Sequence, residues 1–195
     1  DKKPVDWSEK IFMQPKLDGV RCVISKDGAF SRTGKPWLNI DHILENLKPV
    51  FEKYPELILD GELYNHELKN DFEKIISLVR KTKPQASDRV ESAAYVQFHC
   101  YDFVDTNLTF EKRWNFLSLA PLYSYCVKYV STHIVESALN THILHDANLT
   151  KGYEGSILRL NGVYECKRSY NLQKFKDFHD TEATIVGYVP GKGKF

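Results

Sequence analysis

The chain has 195 residues, with 27 Lys plus Arg against 26 Asp plus Glu, a formal net charge of +1 and 42% apolar side chains. That is enough chain for one sizeable core of ordinary globular composition, and the near balance of charge excludes a nucleic-acid partner held by the field of the whole molecule; any such contact needs a local basic patch. Cys22, Cys100, Cys126 and Cys166 are widely separated, which argues against a zinc site or a disulfide framework and fits a reducing compartment. No apolar run reaches membrane-spanning length and the first residues do not form a signal peptide, so a soluble intracellular chain without membrane contact is expected.

In chain order, residues 20–25 are β-branched and partly alternating, and they run through Asp27 and Gly28 to Ala29 and Phe30, which predicts a hairpin. Ile43, Leu44, Leu47, Val50 and Phe51 recur at helical spacing up to Pro55, and residues 57–59 then read as a buried strand that delivers Asp60 and Glu62 to one face. Asp71 is placed to cap a helix with the apolar stripe Phe72, Ile75, Ile76 and Val79. Residues 83–92 read as a polar connection and 94–104 as a strand carrying Tyr101. Further on, the pattern predicts a helix over 110–117, a strand over 127–135, a helix over 136–149 and a last strand over 182–188. The order is mixed rather than regularly βαβ, so the expected class is α+β with largely antiparallel sheets flanked by helices.

The densest chemistry lies in Lys16, Leu17, Asp18, Gly19, Val20 and Arg21: a nucleophile, an acid, a flexible glycine and a phosphate-seeking arginine in six residues. A lysine attacks a nucleotide phosphorus only as the free amine, so its pKa must fall from about 10.4 through burial or nearby positive charge. Lysine can do this and arginine cannot.

Further short motifs follow in a fixed order: Ser31, Arg32, Thr33, Gly34, Lys35; Leu59, Asp60, Gly61, Glu62, Leu63, Tyr64; Tyr101, Asp102, Phe103; Glu154, Gly155, Ser156, Ile157, Leu158, Arg159; and Lys174, Phe175, Lys176. Across nearly its whole length the chain resembles the adenylation domain of ATP-dependent DNA ligases of the compact viral or phage type, within the superfamily that also holds RNA ligases and mRNA capping enzymes. The resemblance implies an ATP-grasp-like nucleotidyltransferase domain over residues 1–180 and the first strand of a truncated OB-fold domain over 181–195, with the OB-fold motif that orients pyrophosphate absent. The fifteen residues before Lys16 leave no room for the extra domain of NAD⁺-dependent ligases, so ATP is the expected nucleotide.

By the same resemblance Lys16 takes AMP, while Lys174 and Lys176 lower its pKa and bind the α-phosphate. Leu17 belongs to the nucleotide pocket, Tyr101 and Ile157 form the two walls of the adenine slot, and Gln14 is placed to hydrogen-bond the base edge. Arg21 meets the ribose or a phosphate, and Arg159 either supports that pocket or forms a structural salt bridge. Asp18, Asp60, Glu62 and Glu154 are too many acids for an anion pocket unless some hold a cation, which implies Mg²⁺ or Mn²⁺. Glu154 is the metal contact, Glu62 reaches a ribose hydroxyl and also belongs to the metal-binding acids, and Asp60 serves the metal or the geometry of the site. Arg32 resembles the arginine that holds the 5′-phosphate of a nick in double-stranded DNA, with Lys167 and Arg168 placed to extend that basic surface. The expected enzyme is a monomeric DNA ligase that adenylates Lys16, passes AMP to the nick and seals it with the 3′-hydroxyl. An RNA ligase or a GTP-using capping enzyme shares Lys16, Glu62 and the paired lysines, and a binding module without catalysis is the rival of another class.

Overall fold

The computed structural model describes residues 4–175, 184, 186 and 187. Strand β1 (Ile11–Lys16) is central to a sheet in which it pairs antiparallel with β7 (His133–Val135) on one side and β8 (Gly155–Leu160) on the other; β9 (Leu172–Phe175) pairs antiparallel outside β8. Alternation along β1 sends Ile11 and Met13 into a cluster with Val135 and Leu158, packed by Leu144 of helix α5 (Ala138–Thr150). Phe12, Gln14 and Lys16 point to the other side. Helix α5 starts where the Ser137 hydroxyl accepts the Asn140 N–H at 3.1 Å. It closes over β8 through a buried polar contact, His145 Nδ1 and Asn148 Nδ2 lying 3.2 and 2.9 Å from Ser156 Oγ.

The second sheet has the order β3 (Gly28–Phe30), β2 (Val20–Ser25), β4 (Leu59–Tyr64), β5 (Gln97–Phe103), β6 (Val127–Tyr129) and is antiparallel except between β5 and β6. The predicted hairpin is β2 and β3, turning at Gly28 with φ of 125°. One face of this sheet, with Cys22, Ile24, Leu59, Leu63, Phe98 and Cys100, is buried in the main core against Ile43 and Leu47 of α1 (Asp41–Lys53) and Ile75 of α2 (Phe72–Val79). Asp71 caps α2 as expected, its Oδ1 accepting the Lys74 N–H at 3.2 Å. The opposite face carries Arg21, Asp60 and Glu62 toward the first sheet. Helix α4 (Phe110–Leu119) closes one end of the interval, with Phe110 and Trp114 edge-on to Phe12 at 5.1 and 5.4 Å.

Three expectations change. Residues 86–95 form a helix, α3 (Ala86–Tyr95), rather than a connection. Its sequence lacks an apolar stripe because polar contacts hold it: Ser92 Oγ donates to the Asn39 carbonyl, and Asn39 Nδ2 donates to the carbonyls of Leu78 and Asp88 at 3.0 and 3.2 Å. The strand expected over 94–104 therefore begins only at Gln97. The strand expected over 127–135 is split, since β6 joins one sheet and β7 the other. Of the last strand and the 181–195 domain only residues 184, 186 and 187 are described, and Lys176 lies outside the described residues. Among the described residues no helix is long and apolar enough to cross a membrane.

Candidate active site

Lys16 ends β1 and is opposite Gly155 at the start of β8, so the register brings Glu154 beside it. The Lys16 Nζ is ion-paired with Glu154 Oε2, and the Glu154 N–H donates to the Lys16 carbonyl at 3.2 Å. The pair sits at the rim of the cleft, the two side chains 15% and 31% exposed. Leu17 follows half-buried, and the chain then turns through Gly19 into β2. No side chain fits at Gly19: a Cβ there would lie 2.6 Å from both Glu62 Cγ and the Leu63 carbonyl oxygen.

The cleft floor is built on β2 and β4, where Arg21 is opposite Glu62 and Val23 opposite Asp60. Arg21 reaches diagonally to Asp60, its Nε on Oδ1 and its Nη2 on Oδ2, both at 2.9 Å. The hydroxyls of Tyr101 and Tyr164 donate to Oδ1 at 3.3 Å and Oδ2 at 2.8 Å. A carboxylate offers about four acceptor positions, and those of Asp60 are filled. Among the described residues the Glu62 carboxyl has no such partners. Burial first and the Asp60 charge second push its pKa up to about 8, with Arg21 and Lys16 pulling the other way. Among the described residues no group of three or more His, Cys, Asp or Glu side chains is placed to share a metal ion. A magnesium ion commonly uses one or two protein carboxylates with substrate phosphates and water, and Glu154, a hard oxygen donor at the cleft rim, suits that role.

Tyr101 reaches Asp60 because β4 and β5 slip register: Asp60 is opposite Asp102 and Gly61 opposite Cys100, leaving Tyr101 as an extra residue. The bulge turns both Tyr101 and Asp102 to the cleft side. Asp102, 1% exposed, is held between two buried arginines. Arg113 of α4 binds it through Nε and Nη2 at 2.8 and 3.1 Å, and Arg159 of β8 through Nη1 at 2.9 Å. Arg159 also lies over the Tyr101 ring, 5.2 Å from its centroid, and donates from Nε to Gln14 Oε1 at 2.6 Å. Arg159 thus forms a buried salt bridge that joins the sheets.

Gln14 is buried, 2% exposed, and its amide donates to the Tyr101 carbonyl at 3.1 Å and Thr132 Oγ1 at 2.8 Å. Both of its amide hydrogens are used in tying the sheets together. Ile157, opposite Gln14 on one side and Lys174 on the other, is half-buried in the same row. Register and alternation therefore put Lys174 on the face that carries Lys16. Arg32 is exposed in the tight loop after β3, where Ser31 N–H meets the Lys35 carbonyl at 2.8 Å and Gly34 has φ of 77°. Lys167 and Arg168 are exposed in the connection from β8 to β9.

Sequence reasoning missed Tyr164, Arg113 and Thr132. Arg113 left a trace, a charge at i+3 on the helix face of Phe110 and Leu117. Tyr164 and Thr132 left none, since each acts across a long sequence separation.

Two sheets facing each other, with a lysine and carboxylate at the mouth of the cleft between them, have the fold of a nucleotidyltransferase domain. Residues 5–176 match the family model of the ATP dependent DNA ligase domain, and the chain belongs to that family. It is 25% identical to the DNA ligase of Enterobacteria phage T4 over 240 residues, covering 97% of this chain and 49% of that protein. It is 30% identical to the DNA ligase of African swine fever virus (strain Badajoz 1971 Vero-adapted) over 198 residues, covering 93% of this chain and 45% of that protein. A solved structure from work on DNA binding by Lig E DNA ligases superposes with a TM-score of 0.74 at 24% identity, covering 97% of this chain and 70% of that one. The chain spans about half the length of the curated relatives it matches.

Proposed function

We propose that this chain is the nucleotide-transfer domain of a DNA ligase that uses ATP and acts on nicked double-stranded DNA as a monomer. The observation that carries the reading is the juxtaposition of Lys16 and Glu154 at the end of adjacent strands, within a chain of the ATP-dependent ligase family. In the first step the neutral Lys16 amine attacks the α-phosphorus of ATP, the N–P bond forms, the bond to pyrophosphate breaks, and the amine gives up a proton. In the second, the 5′-phosphate oxygen of the nick displaces Lys16 from AMP. In the third, the 3′-hydroxyl attacks that phosphate, and AMP leaves.

Each side chain has a part that its position supports. Glu154 is ion-paired with Lys16, and it is the residue to hold Mg²⁺ or Mn²⁺, which would neutralise phosphate charge. Lys174, on the Lys16 face of the sheet, and Lys176 draw charge from the α-phosphate. Glu62, protonated across much of the neutral range, donates to or accepts from a ribose hydroxyl. Tyr101, its ring fixed by Arg159 and Asp60, and Ile157 flank the adenine, while Leu17 closes the slot. Arg21, held on Asp60, offers its remaining edge to the ribose or a phosphate, and Arg32 takes the 5′-phosphate of the nick, where a guanidinium fork suits the ligand. Phosphoryl transfer of this kind depends on positioning and electrostatics more than on covalent help from the protein.

The test is the intact mass of a protein carrying this chain after incubation with Mg²⁺ and either ATP or GTP, beside Lys16→Ala. A gain of one AMP with ATP alone, absent in the variant, is expected. A gain only with GTP identifies a capping enzyme, and no gain with either leaves a binding module.

A further inference from the structure

Tyr164 belongs to no motif, yet its hydroxyl closes a ring with two motif residues. It donates to Asp60 Oδ2 at 2.8 Å and accepts from Arg21 Nη2 at 3.0 Å. The residue comes from the connection between β8 and β9, so it crosses from one sheet to the floor of the other. That connection is anchored at the start of α4: Val163 bridges Thr109, Asn161 Oδ1 accepts the Glu111 N–H at 2.9 Å, and the Gly162 carbonyl accepts the Phe110 N–H at 2.9 Å. The Tyr164 ring then lies against the Arg113 guanidinium, 5.6 Å from its centroid. Burial and the nearby Asp60 charge raise the pKa of the phenol well above its ordinary value, so the hydroxyl keeps the proton that it donates.

A guanidinium paired only with a carboxylate keeps one hydrogen of Nη2 and both of Nη1 free to choose partners. Here Nε and both hydrogens of Nη2 are engaged by Asp60 and Tyr164, so the Nη1 hydrogens are the donors left for a ligand. We propose that Tyr164 is a positioning residue for nucleotide transfer: it locks Arg21 on Asp60 so that the guanidinium offers a single, fixed edge to the nucleotide. The inference rests on the ligase reading, in which Arg21 meets the ribose or a phosphate of ATP.

The experiment compares lysyl-AMP formation against ATP concentration in the unsubstituted protein, Tyr164→Phe, Arg21→Lys and the double variant. Removing one hydrogen bond to a charged group corresponds to roughly a tenfold effect. Tyr164→Phe is therefore expected to raise the KM for ATP by about that factor, with kcat changed less than about twofold. In the Arg21→Lys background the same change adds nothing, because the hydroxyl acts through the arginine; a residue that only supports the fold would add its effect in both backgrounds. An unchanged KM in Tyr164→Phe, or additive effects in the double variant, overturns the inference while the ligase reading stands. Absence of lysyl-AMP in the unsubstituted protein overturns the ligase reading, and this inference with it.

Discussion

Gly19 rests directly on Glu62: a Cβ at residue 19 would meet the Glu62 Cγ at 2.6 Å, the Leu63 carbonyl oxygen at 2.6 Å and the Tyr64 Cβ at 3.2 Å. The turn that leads away from Lys16 is thus packed on the strand that forms the cleft floor. One of the obstacles is backbone, which cannot swing aside as the end of a long side chain can. Gly19→Ala is expected to destabilise the fold by about 1–3 kcal/mol through overpacking. It is expected to slow lysyl-AMP formation at least tenfold, because the displaced turn carries Lys16 with it. Chemical denaturation and the intact-mass assay measure the two effects separately, and an adenylation rate within twofold of the unsubstituted protein would contradict the second.

The Glu62 carboxyl makes stability depend on pH. Its folded pKa of about 8 lies above the ordinary 4.5, so between these values the folded protein holds a proton that the unfolded chain has released. Stability therefore falls as pH rises through that window, and the penalty is complete above about pH 8. Glu62→Gln removes the titration while keeping the shape. The variant is expected to match the unsubstituted protein below about pH 4.5 and to exceed it increasingly up to pH 8, by at most a few kcal/mol. Denaturant unfolding of both proteins at a series of pH values checks this; a constant difference across the series would show that Glu62 does not titrate in the window.

How much of this was legible in the sequence varied with how local the cause was. The hairpin at Gly28, the cap at Asp71 and the pairing of Asp60 with Glu62 on one face rest on turn chemistry and period-2 alternation within a few residues. Helix α3 was hidden because Asn39 and Ser92 hold it from a distance by polar contacts. Nor could alternation alone put Tyr101 and Asp102 on the same side, since a bulge between β4 and β5 does so. The burial of Gln14 is not legible locally, because its partners, Tyr101, Thr132 and Arg159, come from three other parts of the chain. The chemistry of the site was readable where it follows a motif, whereas the supports of that chemistry depend on tertiary pairing.

The Arg113–Asp102–Arg159 group is one such support, and all three side chains are less than 9% exposed. Asp102→Asn leaves two buried guanidinium groups with one carbonyl oxygen in place of a carboxylate. Breaking a buried ion pair from one side costs about 3–5 kcal/mol, and a loss of that order is expected in urea unfolding. Arg113→Met is expected to cost less, because Asp102 keeps its contact with Arg159 at 2.9 Å. Equal losses in the two variants would show that the arginines do not share the charge of Asp102.

The position of Glu154 is set from the other side of the cleft. The Lys151 carbonyl, three residues before it, accepts from His66 Nε2 at 3.0 Å and from Lys69 Nζ at 3.1 Å. With Nε2 donating, His66 Nδ1 accepts from the Tyr64 hydroxyl at 2.6 Å, and the His66 ring packs on Tyr153 at 4.4 Å between centroids. Gly152 closes the turn with φ of 87°, and a Cβ there would fall 2.5 Å from Lys69 Nζ. The loop that presents Glu154 to Lys16 is therefore clamped to the end of β4 by one imidazole and one ammonium group. His66→Ala removes a hydrogen bond and the ring contact, and is expected to lower stability by only about 1 kcal/mol. Displacing the Glu154 loop by even a fraction of an ångström should weigh more on the reaction than on the fold. Lysyl-AMP formation at saturating ATP and Mg²⁺ is expected to slow about tenfold in His66→Ala, and further when Lys69→Ala is added. A rate equal to that of the unsubstituted protein would mean that the His66 and Lys69 contacts do not set where Glu154 lies.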